Sequence, residues 1–187
     1  SQGHLITVGA RSNTGKTSFH ASLVMGDGGF ADQGANVAVL CNEESVQRVR
    51  MRYINAATGR TGKEILDDVD SNLMVYREKS KNVKHTDATA KTMDWVEAVC
   101  KRYKPDVLIL DMGDKFAKTS TTISTHELLK QNAIHARQIA KQHECAIFYM
   151  SQLAAEAEGR IVLDQSMMEG SKTGKAAEAD LILLLAR

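Results

Sequence analysis

Apolar and polar positions follow two rhythms along this chain. Short runs of β-branched and aliphatic residues fall at 4–9, 36–41, 73–76, 107–111, 145–150 and 181–186, and each is read as a strand. The runs VLILD, AIFYM and LILLLA lack polar alternation, as strands covered on both faces do. Between the runs the period lengthens. Val46, Val49, Tyr53 and Ala57 recur at helical spacing, as do Met93, Val96, Cys100 and Tyr103, and then Leu129, Ala133, Ala136 and Ala140. These stripes are read as core faces. Pro105, the single proline, stands between the Met93 helix and VLILD, where it ends a helix without interrupting a strand. Strands alternating with helices predict an α/β fold: a mostly parallel central sheet with helices on both faces. Two polar stretches without periodicity, 115–125 and 154–172, follow predicted strands directly, where open α/β sheets place ligands.

Composition narrows the class. The 187 residues are 43% hydrophobic and 25% charged, the balance of one globular domain with a real core. A formal net charge of +1 excludes a wholly basic surface, so any nucleic-acid contact rests on a local cluster of cations. Cys41, Cys100 and Cys145 form no C-x-x-C pair and the six histidines show no ligand spacing, which argues against a zinc site or a disulfide framework. There is no apolar run of membrane-spanning length and no signal peptide pattern. The chain opens at Ser1 almost directly on a strand, and a piece of a longer protein is expected.

The first chemistry-bearing segment is LITVGARSNTGKTSF, a strand, a polar turn and a helix start. Its core, ARSNTGKT, fits G-x-x-x-x-G-K-[ST] with Ala10 in the first glycine position. The turn Arg11, Ser12, Asn13, Thr14 and Gly15 presents backbone N–H groups to a β-phosphate, and the helix that follows adds the positive end of its dipole. Lys16 reaches the β- and γ-phosphates, the Thr17 hydroxyl ligates Mg²⁺, and Ser18 completes the lining. ATP and Mg²⁺ are therefore the expected ligands.

A P-loop needs a carboxylate on a second strand to hold the metal through water. VLILD supplies Asp111 at the end of a buried strand, where an acid without a partner is costly. Asp114 is read as a loop or cap acid. The strand NVAVLC runs into Glu43 and Glu44, at the tip of what is expected to be the strand next to the P-loop strand. One of the two suits a base for the attacking water, and the other an acid complementing the next helix dipole. Spacing does not choose between them.

Taken in order, these segments resemble the motor domain of DnaB-type hexameric replicative helicases, phage primase-helicases included. ARSNTGKT is similar to that family's P-loop variant, which begins Ala-Arg. CNEES resembles its LEES motif, whose first Glu is the base, and this selects Glu43. In that register Arg52 falls where the family often has an Arg. VLILDMGD resembles the Walker B strand. MSQLAA resembles the SQL motif, which implies that Gln152 senses the γ-phosphate. GSKTGKAAEADLILLLAR is similar to the last motif, a DNA-facing loop followed by an Ala-Asp strand start, although 170–175 is more basic than in many relatives.

The resemblance implies a RecA-like P-loop fold, and an ATP-hydrolysing motor that moves on single-stranded DNA. It further implies a ring hexamer in the full-length protein, a primase or helicase loader as partner, and residence in bacterial cytoplasm or a phage-infected cell. The arginine finger is expected beyond Arg187. Arg160, Lys172 and Lys175 are the candidate DNA contacts, gripping the backbone of a single strand; the alternative is a solvated surface loop. Rival readings are a RecA-like recombinase or mediator, which shares the same site, and a KaiC-like regulatory ATP switch.

Overall fold

The computed structural model describes residues 3–118, 124–168 and 175–186. In chain order the elements are β1 (Leu5–Ala10), α1 (Lys16–Met25), β2 (Val37–Cys41), α2 (Val46–Thr58), α3 (Gly62–Asp67), α4 (Val69–Lys79), β3 (Val83–Asp87), α5 (Met93–Tyr103), β4 (Val107–Asp111), α6 (Thr125–His143), β5 (Ala146–Gln152), α7 (Lys175–Glu178) and β6 (Leu181–Leu185). Six strands form one sheet in the order β3-β2-β4-β5-β1-β6, and every pairing is parallel.

Because side chains alternate across a strand, each central strand feeds two cores. Leu40, Leu108, Leu110, Ile147 and Tyr149 point to one face, against Met93, Val96 and Cys100 of α5 and Ala136, Ile139 and Ala140 of α6. Val39, Ile109, Phe148 and Met150 point to the other, against Val24 and Met25 of α1, Val49 and Tyr53 of α2 and Tyr76 of α4. The predicted helical stripes are therefore the buried faces of α2, α5 and α6.

The structure departs from the sequence reading at two strands. Residues 73–76 belong to α4, which starts where the Asp68 side chain accepts a hydrogen bond from Ser71 N. Leu73 and Tyr76 lie one turn apart on the face that packs with the α1–α2 side of the sheet, so a short apolar cluster imitated a strand. The true third strand is VKHTD, which sits at a sheet edge and is polar enough to escape an apolar-run criterion. At the opposite edge, LILLL is half-buried rather than covered, and Leu181 is 51% exposed.

The strand order also separates β2 from β1 by two intervening strands, so the Glu43 strand is not the neighbour of the P-loop strand. Register brings the chemistry together instead. Ala10 pairs with Gln152, and Cys41 with Asp111, so the carboxyl ends of these strands finish at one edge of the sheet.

Candidate nucleotide site

Between β1 and α1 the chain makes the turn on which the site is built. Thr14 N bonds to Arg11 O, Asn13 adopts φ 61° and Gly15 adopts φ 100°. A side chain at Gly15 would be strained in that conformation, and the open space around it leaves the backbone bare toward the pocket. Helix α1 follows at once, with no side-chain cap on its first N–H groups, which remain available to an anion.

Arg11, Ser12, Asn13, Thr14, Gly15, Lys16, Thr17 and Ser18 line a pocket of about 500 Å³ together with Glu43, Glu44 and Arg52. The lining is polar and carries both cationic and acidic side chains. Ala10, at the root of the turn, is fully buried, and its carbonyl lies 3.5 Å from Lys16 Nζ. Burial lowers the Lys16 pKa, against the upward pull of Glu43, Asp111 and Asp114. A buried cation with three carboxylates nearby, and no close counter-ion among the described residues, suits an incoming phosphate.

Glu43 projects from the tip of β2, where its Oε1 accepts a hydrogen bond from Lys115 Nζ at 3.1 Å. Glu44 lines the same pocket and the structure leaves the choice between them open. Asp111 ends β4 with no solvent exposure, and neither of its oxygens has a hydrogen-bond partner among the described residues. Facing it is His20 on α1, with Nε2 3.5 Å from Oδ1, and His20 Nδ1 lies 2.9 Å from the Tyr53 hydroxyl. Tyr53 stays protonated: burial raises its pKa, and Cys41 and Asp111 push it further up. Sequence reasoning passed over His20 because a lone histidine in a helix carries no motif. Its signal was a polar residue one turn after Lys16, on the buried face of α1.

Gln152 closes β5. Its Nε2 donates to Ser12 Oγ at 3.2 Å, so the side chain already reaches the P-loop. Arg11 turns the other way and binds the segment after β5, with Nη1 donating to Leu153 O at 2.9 Å and Nη2 3.2 Å from Glu158.

The DNA candidates divide. Arg160 is exposed beside Ile161 and Val162, which are 85% and 83% exposed. Lys172 lies outside the described residues. Lys175 does not face outward: it has no solvent exposure, its Nζ lies 2.6 Å from Asp114 Oδ1, and it donates to Ser151 Oγ at 3.1 Å. A lysine held in a buried ion pair presents no charge to a phosphate backbone, so in this fold Lys175 is not placed as the expected DNA contact. Asp114 is likewise more than a loop acid, since it accepts from Tyr149 Oη, Ser151 Oγ and Gln152 N. Arg137, on α6, pairs with Asp180 at the start of β6, with Nη2 donating to Oδ1 at 2.7 Å. Burial raises the Asp180 pKa, but the hydrogen bonds from Arg137 and Leu5 N outweigh it and the net shift is downward. The Ala-Asp pair thus anchors the start of β6.

Comparison with known proteins places this geometry. The family model described as the DnaB-like helicase C terminal domain matches residues 1–187. A solved structure described as an ATPase domain superposes with a TM-score of 0.88 at 16% identity, covering 100% of this chain and 71% of that one. A DnaB-like replicative helicase, described with its interactions with primase, gives a TM-score of 0.87 at 17% identity, and this chain spans 48% of it. No curated protein matches the sequence.

Proposed function

The chain belongs to the family of DnaB-like helicase C-terminal domains, and from that premise we propose that it is the ATP-hydrolysing motor of a replicative helicase that translocates on single-stranded DNA. The observation that carries the reading is one pocket in which a bare P-loop turn, Lys16, Thr17 and Glu43 meet, with the buried Asp111 carboxylate, which has no hydrogen-bond partner among the described residues, close enough to act on Lys16, and with Gln152 bonded to Ser12 of its lining.

Each side chain has a part that its position supports. The turn from Arg11 to Gly15 and the first N–H groups of α1 hold the β-phosphate, and Lys16 spans the β- and γ-phosphates. Glu43 takes a proton from the attacking water, in a place separate from the metal acid. Lys115 holds the carboxylate in place until that water arrives. Gln152 reports whether a γ-phosphate is present.

The site suits Mg²⁺. Two buried carboxylate oxygens without a hydrogen-bond partner among the described residues are what a nearby cation, reached through water, would satisfy. Thr17 and Asp111 would hold the ion, which would supply positive charge against the phosphates. Single-stranded DNA, a ring of six copies and a primase or loader are the proposed partners of the full-length protein.

Electron microscopy of the full-length protein with single-stranded DNA and a non-hydrolysable ATP analogue tests this assembly. Closed six-membered rings are expected. Open filaments along the DNA would favour a recombinase in its place.

A further inference from the structure

We propose that Asp114, braced by Lys175, is a positioning residue that sets Gln152 against the P-loop. The inference rests on the proposed role of Gln152 in sensing the γ-phosphate.

It begins where the sheet runs out of partners. Strand β5 pairs with β4 only as far as Leu110–Tyr149, whereas on its other side the pairing with β1 continues to Ala10–Gln152. Ser151 and Gln152 therefore leave the β4 side without a described strand beside them. Asp114 stands in that gap, with Oδ2 accepting from Ser151 Oγ at 2.8 Å and from Gln152 N at 3.1 Å. Oδ1 accepts from Tyr149 Oη at 3.2 Å and faces Lys175 Nζ at 2.6 Å. One carboxylate thus replaces the missing strand at the end of the ladder.

The turn that carries Asp114 is itself fixed. Met112 is held at φ 73°, a conformation a non-glycine residue keeps only under constraint. Gly113 packs so closely on the Tyr149 ring that a Cβ there would overlap it. Asn42 Nδ2 donates to Met112 O at 3.0 Å, which ties the turn to the tip of β2. The next residue, Lys115, reaches Glu43. A single turn after β4 therefore grips the strand ends that present both Glu43 and Gln152.

A buried ion pair is weak evidence of stability, because well-packed apolar residues often serve as well. What an apolar pair cannot do is accept the Gln152 amide. That amide, fixed by Asp114, leaves the Gln152 side chain free to reach Ser12 Oγ at 3.2 Å.

The test is a double-mutant cycle in the full-length protein, reading ATP turnover and, separately, fluorescent ADP binding. Asp114→Asn leaves one acceptor oxygen where two are used, and its amide meets donors whichever way it turns. It should lower kcat by roughly 10–100-fold, the effect of misplacing a reacting group by about an ångström. ADP lacks the γ-phosphate, so its affinity should hold. In a Gln152→Ala background Asp114→Asn should cost nothing further, the signature of two residues acting through one. Losses that multiply, with ADP affinity falling in step, would mean a merely structural role and overturn the proposal, as would a harmless Asp114→Asn beside an impaired Gln152→Ala. Wild-type turnover by Gln152→Ala would instead sink the sensing role, and the positioning role with it. Should Asp114→Asn fail to fold, Ser151→Ala enters the same cycle with a smaller, equally non-additive loss expected. Additive behaviour there refutes the proposal as well.

Discussion

Replacing Lys175 by methionine keeps the length of the side chain and removes its charge. In the folded chain the ammonium has no exposure and lies 2.6 Å from Asp114 Oδ1, whose side chain is only 9% exposed. Its loss leaves a buried carboxylate without an ion-pair partner among the described residues, a change that commonly costs ~3–5 kcal/mol. Asp114 keeps its hydrogen bonds from Tyr149, Ser151 and Gln152, which soften the loss of the counter-charge. The lower end, about 3 kcal/mol, is therefore expected. For a domain of this size that corresponds to a fall in Tm of roughly 6–12 °C. Thermal unfolding by circular dichroism measures it, and urea unfolding should show a lower midpoint at an unchanged slope. Arg160→Ala, at an exposed position, provides the contrast and should stay within about 0.5 kcal/mol of wild type. If Lys175→Met unfolds with wild type while losing affinity for single-stranded DNA, the lysine faces solvent and the buried pair is wrong.

Two further outcomes follow from the site. Lys16→Ala removes the charge proposed to contact phosphates before and during reaction, so nucleotide titration and steady-state turnover should both show losses; unchanged hydrolysis would remove the P-loop assignment. Arg160→Ala combined with Lys172→Ala should weaken single-stranded DNA binding and flatten its dependence on salt while DNA-free hydrolysis survives, and a wild-type salt slope would return this segment to a plain surface loop.

The architecture was legible in the sequence because its signals are local. Continuous apolar runs marked the central strands, and the stripe through Val49 and Tyr53 marked α2 before any contact was known. The edge strand VKHTD was missed for the reason that makes it an edge: half of it meets water, so apolar patterning is absent. The P-loop was legible because its residues are consecutive. Strand order was not, because no local pattern says that β4 and β5 insert between β2 and β1. The largest error concerned Lys175. A lysine near glycines and other cations reads as a surface contact, and only the fold brings it to Asp114, far away along the chain. The same blindness hid the Asp114 network, which assembles from the turn after β4, from β5 and from α7.

The central claim is that this pocket hydrolyses ATP to drive movement on DNA, with Glu43 as the base. The most direct measurement is steady-state ATP hydrolysis by the full-length protein with and without single-stranded DNA, run beside Glu43→Gln and Glu44→Gln. Wild type should be stimulated by DNA. Glu43→Gln should bind nucleotide yet lose turnover by ~10²–10⁴-fold, while Glu44→Gln loses much less. Hydrolysis indifferent to DNA would contradict the motor and favour a regulatory switch, and undiminished turnover by Glu43→Gln would contradict the assignment of the base.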